Sequence, residues 1–351
     1  NNKAGKGFES LPYTVNGKVI TRFDQRKNIF GRILNDTKAP FHKKSMYRNV
    51  KKIITQRIKG YSQIEFAKVL GAWAVYDYFY KAFAWERPTE QNNIMDKPTL
   101  GKYPVKDRRV MSEEVKDAAK LYGASLVGIC EINPLWIYSV NLFGQPIDVP
   151  DGYKYAIVMA IPVDDKLLKS SPTFPACAAS AIGYSRMAFC IACLAEFIRN
   201  LGYNAIPMGN DTALSIPLAI DAGLGELGRN GLLITPQYGP NVKICKIFTD
   251  LPLEPDEPIE FGVTNFCKKC KKCAEACSAD AIQFETEPSF KTVSTSNNPG
   301  ILRWAVDHDK CYTFWIKNGG DCSNCIAAVS YTHLRAHETP EHLVCRLLLE
   351  K

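Results

Sequence analysis

The sequence predicts an α+β protein in which a layered α/β domain precedes a smaller cysteine-rich domain. Between about residues 105 and 260, segments of helical periodicity alternate with short apolar runs typical of buried strands. After residue 260 the cysteines crowd together, with four of them inside eleven residues. The chain has 351 residues and is 46% hydrophobic, which is enough material for a large core and a satellite domain.

The N-terminal region, residues 1–104, begins polar and basic and then carries an aromatic-rich segment at 66–85. Apolar residues in this segment recur at helical spacing, which favours a core helix over a cofactor-binding stripe. Pro88, Pro98 and Pro104 then mark a connecting stretch that ends the region.

The α/β region, residues 105–260, contains the elements of a layered domain. A helix is predicted to begin at Ser112, because serine is a good cap and Glu113 and Glu114 follow in the first turn. A long apolar helix is predicted to end before Gly202. The predicted helices span 112–121 and 176–201, and the predicted strands span 125–130, 155–163 and 243–248.

Seven cysteines dominate the region 261–328. The first four follow the C-x2-C-x2-C-x3-C spacing of bacterial iron–sulfur proteins, in which three thiolates hold one cluster and the fourth reaches a neighbouring cluster. The spacing therefore predicts a two-cluster, ferredoxin-like domain. The seven residues are Cys267, Cys270, Cys273, Cys277, Cys311, Cys322 and Cys325.

Two clusters with four ligands each need one thiolate more than these seven cysteines supply. The missing cysteine is expected four residues after Cys325, where the chain has Val329. One cluster is predicted to use Cys277 together with Cys311, Cys322 and Cys325. The other, held by the first three cysteines, is then expected to lack its fourth ligand and to assemble incompletely.

Zinc sites and disulfides are the other common uses of closely spaced cysteines. Zinc usually takes two pairs of ligands separated by a longer loop, which fits this spacing poorly. Ser278 stands where the usual iron–sulfur motif has proline, so the loop exit is less constrained. Four lysines can offset the negative charge of a thiolate-bound cluster, and the pattern as a whole favours iron–sulfur clusters. They are Lys268, Lys269, Lys271 and Lys272.

Residues 329–351 differ from the rest of the chain and are predicted to be a foreign tail. They hold three of the five histidines and an isolated Cys345, and they resemble a translated sequencing-adapter remnant. Truncation within the second cysteine motif would then explain the missing ligand. The alternative is that His333 or Cys345 completes the cluster, which is disfavoured because the histidine ligands of Rieske-type clusters come in pairs.

A glycine-rich segment has the formal G-x-G-x-x-G pattern of dinucleotide-binding proteins. It contains Gly223, Gly225 and Gly228, with Asp250 about twenty residues further on. That fingerprint must directly follow a strand, whereas residues 216–222 contain proline and predict a helix or turn. The pattern therefore indicates either a flexible turn or a loop whose backbone amides approach another large cofactor.

Four segments resemble the corrinoid domain of respiratory reductive dehalogenases. In order they are 183–187 (Gly-Tyr-Ser-Arg-Met), 209–212 (Gly-Asn-Asp-Thr), 222–234 and 243–250, and the cysteine motifs follow them. The resemblance covers about residues 105–328. It implies a nitroreductase-like α/β domain at 105–260 that binds a cobalt corrinoid base-off, and a ferredoxin-like domain at 261–328 with two [4Fe-4S] clusters.

The resemblance also implies an activity and site residues. The implied enzyme is a reductive dehalogenase, an oxidoreductase that replaces halogen by hydrogen on a small organohalide, with electrons passed through the clusters to the corrinoid cobalt. Tyr184 resembles the proton donor of the family, Lys243 its cationic partner and Asn210 a residue lining the substrate pocket. A phenol is a reluctant acid at neutral pH, and a nearby cation stabilises the phenolate. The three glycines named above would contact the corrinoid.

Two other functions stay open on the sequence. The related epoxyqueuosine reductases modify tRNA with the same cofactors, and their catalytic aspartate would correspond to Asp211. Tyr184 together with Lys243 favours dehalogenation over this alternative. A non-catalytic iron–sulfur electron carrier is the second alternative, and the large domain upstream of the cysteines argues against it.

Charge and the resemblance set the expected partners and location. The net charge of +8 is spread along the chain, so no nucleic-acid partner is expected. No run of roughly 18 apolar residues that would span a bilayer is expected either. The resemblance implies an external electron donor, a small membrane-anchor protein, and export to the outer face of the cytoplasmic membrane as a peripheral protein. Arg108-Arg109 lies mid-chain and does not form the twin-arginine export signal of the family.

Overall fold

The computed structural model describes residues 13–78 and 101–329. Its strands are β1 (Leu126–Glu131), β2 (Tyr155–Pro162), β3 (Ala205–Met208), β4 (Glu226–Leu227), β5 (Leu233–Ile234) and β6 (Val242–Thr249). Four of them form an antiparallel sheet with the order β1-β2-β6-β3, and β4 pairs with β5 in a separate hairpin.

Helices surround the sheet and continue into the cysteine-rich region. They are α1 (Ile29–Asn35), α2 (Val50–Thr55), α3 (Gln63–Tyr78), α4 (Arg108–Leu121), α5 (Asp165–Leu168), α6 (Phe174–Asn200), α7 (Ser215–Asp221), α8 (Val263–Lys269), α9 (Lys272–Glu275), α10 (His308–Asn318) and α11 (Asn324–Ala327). Short 3₁₀ turns lie at Gln25–Lys27 and Pro134–Trp136.

The strand β2 is covered on both faces, and this divides the interior into two cores. Successive side chains of a strand point to opposite faces of the sheet. Ile157 and Met159 pack in the core formed with α4 and α6, whereas Ala156 and Val158 pack in the core on the α7 side. Burial on both faces is why this strand is apolar without alternation, which is the sequence signal that predicted it.

The helix α6 packs against the sheet, and by length and composition alone it is long and apolar enough to cross a bilayer. The expectation that the sequence contains no such segment is therefore wrong for this helix. In the structure its apolar side chains lie in the protein core, where Met187, Ile191 and Leu194 are at most 1% exposed. Burial from several sides explains the apolar run, because a core helix needs no polar stripe where it is covered.

The helix α4 begins four residues earlier than the sequence predicted. Its cap is Asp107, whose carboxylate accepts hydrogen bonds from the backbone N–H of Arg109 at 2.8 Å and of Val110 at 3.2 Å. The predicted cap, Ser112, lies inside the helix, where its buried hydroxyl donates to the carbonyl of Glu254 at 3.2 Å. The predicted start was wrong because Ser112 serves a tertiary contact while a stronger cap precedes it.

The other predicted elements agree with the structure to within a few residues. The aromatic-rich helix predicted at 66–85 is present as α3, and residues 79–85 lie outside the described part of the chain. Residues 216–222 belong largely to α7, as the proline-containing pattern predicted. The glycine-rich segment therefore follows a helix, and this context excludes a dinucleotide fingerprint.

The cysteine-rich region is held against the N-terminal helices by polar contacts. Arg32 of α1 pairs with Asp309 of α10, with 2.9 Å between Nη2 and Oδ2. Asn49 donates a hydrogen bond to the carbonyl of Ile316 at 2.9 Å. These contacts fix the position of α10, which carries Cys311.

Candidate active site and cluster-binding cysteines

Tyr184 and Lys243 are brought together by the close packing of α6 on β6. A side chain at Gly183 would place its Cβ only 2.9 Å from Cγ of Lys243, so glycine allows the helix to approach this strand. The Nζ atom of Lys243 lies 4.6 Å from the centroid of the Tyr184 ring. The same ammonium donates a hydrogen bond to Oγ of Ser180 at 2.9 Å. Ser180 therefore fixes the lysine beside the phenol.

Asn210 reaches the same site from the loop that follows β3. Its Nδ2 atom lies 3.4 Å from the hydroxyl oxygen of Tyr184. The asparagine is exposed and the tyrosine is half-buried, so this side of the pair is open to a substrate. The structure thus brings together Tyr184, Lys243 and Asn210, the three residues that the sequence put forward for catalysis.

A buried lysine that the sequence did not single out holds the Asn210 loop. Lys246 is 0% exposed, and its ammonium donates to the carbonyls of Gly209 at 2.6 Å and Asp211 at 3.2 Å. It also contacts Oγ of Ser215 at 3.1 Å. Burial lowers the pKa of Lys246 to about 8, and the nearby Asp211 charge opposes this shift. Both residues flanking Asn210 are therefore tied to the central sheet.

The carboxylate of Asp211 is engaged inside its own loop. One oxygen accepts a hydrogen bond from the backbone N–H of Gly209 at 2.9 Å, and the other accepts from the hydroxyl of Thr212 at 2.9 Å. Thr212 has a φ of 63°, a left-handed conformation that non-glycine residues rarely adopt. Asp211 thus has a structural role in shaping the loop that carries Asn210.

Two aromatic residues of α3 pack on the candidate proton donor. Trp73 stacks on Tyr184 with 5.1 Å between ring centroids and an angle of 21°, and Tyr76 meets it edge-on at 5.7 Å. The sequence assigned this aromatic stripe to the core alone. The helical spacing predicts a buried helix but not which residues it contacts. Trp73 and Tyr184 are more than a hundred residues apart, and no local sequence pattern indicates a contact at that separation.

Four of the predicted cluster ligands form one group. Cys277 and Cys322 are electrostatic neighbours of Cys311, and together with burial they raise the pKa of its thiol to about 12. Burial raises the pKa of Cys325 well above its usual value, and Cys311, Cys322, Cys273 and Cys277 add to the rise. Four thiols from three separate segments therefore lie near one another, with Cys273 of the other group also near Cys325, and four thiols are the number that a four-iron cluster requires.

The other three cysteines form a second group around a small cavity. Burial raises the pKa of Cys273 to about 12, and the neighbouring Cys267 and Cys270 contribute. The cavity wall includes these three thiols together with Val329. In the described ranges, no group of three or more His, Cys, Asp or Glu side chains is placed so that it could hold a metal ion. The assignment of these three cysteines to a cluster therefore stays a prediction from their spacing in the sequence.

Arg229 ties the glycine-rich segment to the first cysteine loop. Its guanidinium is 1% exposed and donates hydrogen bonds to the carbonyls of Cys267, Cys270, Gln283 and Glu285, at 2.5 to 3.2 Å. The guanidinium also lies 4.5 Å from the centroid of Trp304. The sequence did not identify this residue, and its position next to a Gly-x-Gly-x-x-Gly pattern gave no indication of its partners.

The three glycines of that segment pack against protein backbone and side chains. A Cβ at Gly225 would lie 2.1 Å from the carbonyl oxygen of Ile234, and one at Gly223 would lie 2.5 Å from the carbonyl of Glu257. A Cβ at Gly228 would lie 2.8 Å from Cγ1 of Ile234. Close packing on the hairpin for Gly225 and Gly228, and on Glu257 for Gly223, therefore accounts for the glycines in this structure, and their contact with a corrinoid stays a prediction.

The candidate catalytic pair and the four-cysteine group meet at Asp321. This residue directly precedes Cys322, and its carboxyl lies near Cys177, Lys243 and Ser180. Burial raises the pKa of Asp321, and the hydrogen bond with Cys177, the charge of Lys243 and the hydrogen bond with Ser180 oppose that rise. Cys177 of α6 also donates from its Sγ to the backbone carbonyl oxygen of Asp321 at 3.2 Å. One residue thus separates the lysine at the phenol from a predicted cluster ligand.

A surface cleft that is larger than the cavity at the three cysteines lies elsewhere. It has a volume of about 690 Å³ and is lined by Glu131, Asp148, Asp151 and Tyr155, among others. Tyr155 begins β2 and pairs with Thr249, whereas Lys243 pairs with Ile161 near the other end of that strand. Size alone therefore does not identify the site, and the convergence of functional groups does.

Comparison with known proteins gives the class to which this arrangement belongs. Residues 140–253 match the family described as reductive dehalogenase subunit. A tetrachloroethene reductive dehalogenase of Desulfitobacterium hafniense is 39% identical, over 67% of this chain and 50% of that protein. The chain thus spans about half the length of this curated relative.

Two solved structures have a similar fold. A catabolic reductive dehalogenase in complex with 3-bromo-4-hydroxybenzoic acid matches with a TM-score of 0.69 and 25% identity, over 90% of this chain and 42% of that one. A reductive dehalogenase whose structure suggests a mechanism for B12-dependent dehalogenation matches with a TM-score of 0.67 and 24% identity, over 88% of this chain and 41% of that one.

These matches assign residues 140–253, and the mixed α and β fold around them, to the reductive dehalogenase family, a family of oxidoreductases. The predicted family and the mixed fold are therefore confirmed. The finer description of a nitroreductase-like domain and a ferredoxin-like domain, with boundaries near 104, 260 and 328, stays a prediction.

Proposed function

We propose that this chain is the catalytic part of a reductive dehalogenase that replaces halogen by hydrogen on a small organohalide. The observation that carries the proposal is the joint position of Tyr184, Lys243 and Asn210 next to the cysteine groups. A phenol, an ammonium and an amide converge there, and Asp321 links them to Cys322. Proton delivery and electron supply thereby meet in one place.

The reaction sets what the side chains must do. Replacing a carbon–halogen bond by a carbon–hydrogen bond consumes two electrons and one proton and releases halide. Tyr184 donates the proton from its hydroxyl, and Lys243 stabilises the phenolate that is left. Ser180 keeps the ammonium in position, because it accepts a hydrogen bond from Nζ at 2.9 Å. Asn210 contacts the substrate from the open side of the phenol.

The electrons are proposed to come through two [4Fe-4S] clusters. Cys277, Cys311, Cys322 and Cys325 would hold the cluster nearer the phenol, since Cys322 follows Asp321. The remaining three cysteines would hold the outer one. Bound at the site, a corrinoid would supply the low-potential cobalt needed to break a carbon–halogen bond, in line with the B12-dependent dehalogenation suggested for a solved relative.

The substrate is proposed to be small and halogenated, as for the relatives. One relative is named for tetrachloroethene, and one solved structure holds a brominated hydroxybenzoic acid. Trp73 stacks on the phenol and Tyr76 meets it edge-on, so the site has aromatic surroundings that suit a small apolar substrate. An external electron donor, a small membrane-anchor protein and a place on the outer face of the cytoplasmic membrane complete the proposal.

The structure favours dehalogenation over the two alternatives. An epoxyqueuosine reductase would use Asp211 in catalysis, but here both oxygens of that carboxylate accept hydrogen bonds within its own loop. A non-catalytic electron carrier would need no phenol held beside an ammonium. The tyrosine and lysine together therefore support an enzyme that acts on an organohalide.

The test is anaerobic reconstitution of the chain with cobalamin, iron and sulfide, followed by halide-release assays on a panel of chlorinated and brominated ethenes and phenols. We expect halide release that disappears in Tyr184→Phe, which keeps the stacking on Trp73 but lacks the proton. Tyr203→Phe is the matched control, because its hydroxyl donates to the carbonyl of Tyr103 away from the site. Equal activity of Tyr184→Phe, or saturable tRNA binding without halide release, would refute the proposal.

A further inference from the structure

We infer that residue 329 occupies the fourth-ligand position of the cluster site formed by Cys267, Cys270 and Cys273, and that Val329 leaves one iron there open to a small external thiolate. The inference rests on the iron–sulfur part of the proposed function and does not depend on the dehalogenase activity. The sequence predicts this ligand position from the spacing of the cysteines alone, and the structure gives its surroundings.

The two cysteine motifs end in the same local structure. Cys273 lies in α9 and Cys325 lies in α11, and each is the second residue of a four-residue helix. The backbone N–H of Cys277 donates to the carbonyl of Ala274 at 3.1 Å, and that of Val329 donates to the carbonyl of Ile326 at 3.1 Å. Residues 277 and 329 thus follow their helices with matching hydrogen bonds.

The preceding residues repeat the match. The N–H of Ala276 donates to the carbonyl of Lys272 at 3.0 Å, and the N–H of Ala328 donates to the carbonyl of Asn324 at 3.0 Å. The helices α9 and α11 pack against each other. Two equivalent units in contact can exchange ligands, each sending the residue after its helix to the other unit's cluster.

The structure places both exchanged residues. Cys277 leaves its own motif and joins the group of Cys311, Cys322 and Cys325. Val329 leaves the second motif and lines the cavity of Cys267, Cys270 and Cys273, which neither Cys277 nor Cys325 lines. Cys273, Cys277, Cys325 and Val329 all pack in the apolar cluster between the two groups. Val329 therefore has the position beside Cys267, Cys270 and Cys273 that Cys277 has beside Cys311, Cys322 and Cys325.

The chemistry at that position follows from the side chain. An isopropyl group has no lone pair, so a cluster held by the other three thiolates has one iron without a protein ligand from the described residues. The carbonyls around this loop are already engaged by Arg229. A small soluble thiolate is the class of ligand that would complete the iron, and without it this iron should be lost on mild oxidation.

The oxidation balances as [4Fe-4S]²⁺ giving [3Fe-4S]⁺, Fe²⁺ and one electron, with added ferricyanide accepting the electron. The reconstituted chain is treated with ferricyanide and a chelator, and then its iron content and its EPR spectrum are measured. We expect the Val329 chain to lose one iron and to show the signal of an oxidised three-iron cluster. In Val329→Cys that iron should be retained and the signal should be absent.

Ala328→Cys is the matched control, because it adds a thiol one residue earlier and residue 328 does not line the cavity. It should behave like the Val329 chain. In a second measurement, trifluoroethanethiol is added to the unoxidised protein and observed by ¹⁹F NMR. A bound resonance is expected with valine at 329, and its loss is expected with cysteine there.

Two results would overturn the inference. One is equal iron loss from the Val329 chain and from Val329→Cys. The other is further iron loss when Cys345→Ser or His333→Ala is introduced into the Val329 chain, since a tail residue would then be the fourth ligand. If clusters form and either of these two results is observed, the inference about residue 329 is wrong and the proposed function is unaffected. If no cluster absorption forms in any variant, the iron–sulfur part of the proposed function fails as well.

Discussion

The ammonium of Lys243 lies 4.6 Å from the centre of the Tyr184 ring and is held there by Ser180 at 2.9 Å. Ser180 and Tyr184 are four residues apart on α6, so the serine hydroxyl and the phenol lie on the same face of the helix. The lysine crosses from β6 to meet both. A cation fixed at the side of a phenol stabilises the phenolate more than a mobile one, because no reorganisation is needed when the charge develops.

Replacing this cation should reduce the reaction. We expect Lys243→Met to lower halide release by about 10²-fold, since a preorganised charge of this kind contributes that order of magnitude. Lys243→Arg keeps the charge and should retain more activity. The rate of halide release at saturating substrate is the measurement, and Lys166→Met on exposed α5 is the control. Equal rates for Lys243→Met and the control would contradict a catalytic role for Lys243.

The buried Arg229 gives a second prediction, which concerns the contact between the glycine-rich segment and the cysteine loop. Arg229→Lys keeps the charge, but an ammonium cannot reach four carbonyls that a guanidinium contacts in a fork. We expect the free energy of unfolding to fall by roughly 3 kcal/mol or more, because the buried charge loses most of its partners. Iron retained after reconstitution should fall as well.

The matched control for that change is Arg186→Lys, since Arg186 is exposed on α6. Urea unfolding and iron content are the two measurements. If Arg229→Lys matches Arg186→Lys in both, the guanidinium contacts in the structure do not hold the cysteine loop.

The sequence predicted the features that depend on local spacing. The cysteine motif predicted that three thiols of a tight loop lie together and that the fourth lies elsewhere. The structure places Cys267, Cys270 and Cys273 around one cavity and Cys277 near Cys311, and the clusters themselves stay a prediction. The strand β2 and the helix α6 were found from their apolar runs. Tyr184, Lys243 and Asn210 came from the family resemblance, and their proximity in space is something no periodicity carries.

The features that the sequence missed all depend on contacts between distant segments. Lys246 looks like an ordinary strand residue until the Asn210 loop is seen to fold over it. Arg229 looks like a surface cation until Cys267 and Glu285 surround it. Likewise local sequence predicts a cap at Ser112, because its hydrogen-bond partner, Glu254, is more than a hundred residues away. In each case a tertiary hydrogen bond decides a role that local preference leaves undetermined.

The glycine-rich segment gives a third prediction, which separates packing from cofactor binding. In Gly225→Ala the new Cβ would lie 2.1 Å from the carbonyl oxygen of Ile234, so the hairpin must shift. We expect a loss of about 1–3 kcal/mol in the free energy of unfolding without any corrinoid present, as for other overpacked sites. Thermal or urea unfolding of the corrinoid-free protein measures it.

Gly71→Ala is the control for that substitution. Gly71 lies within α3 with nothing within 4 Å of its Cβ position, so alanine there should stabilise by about 0.5–1 kcal/mol. If Gly225→Ala leaves the corrinoid-free protein unchanged and weakens only cobalamin binding, the glycine serves the cofactor and packing is secondary.

The buried Lys246 gives the last prediction, a pH dependence of stability. Its pKa is lowered from 10.5 in the unfolded chain to about 8 in the folded protein. Between these values the unfolded chain binds more protons than the folded one, so this lysine makes the free energy of unfolding rise with pH. Below pH 8 the lysine is protonated in both the folded and the unfolded state, so this group contributes no slope.

The variant Lys246→Met has no titrating group at this position. The free energy of unfolding of the native protein minus that of the variant should therefore rise by up to roughly 1.4 kcal/mol per pH unit between pH 8 and 10. Urea unfolding of both proteins at several pH values measures the difference, and Lys169→Met, at an exposed ion pair with Asp165, is the matched control for removing a lysine. A difference that stays flat through this range would mean that the ammonium is not buried among the carbonyls of Gly209 and Asp211.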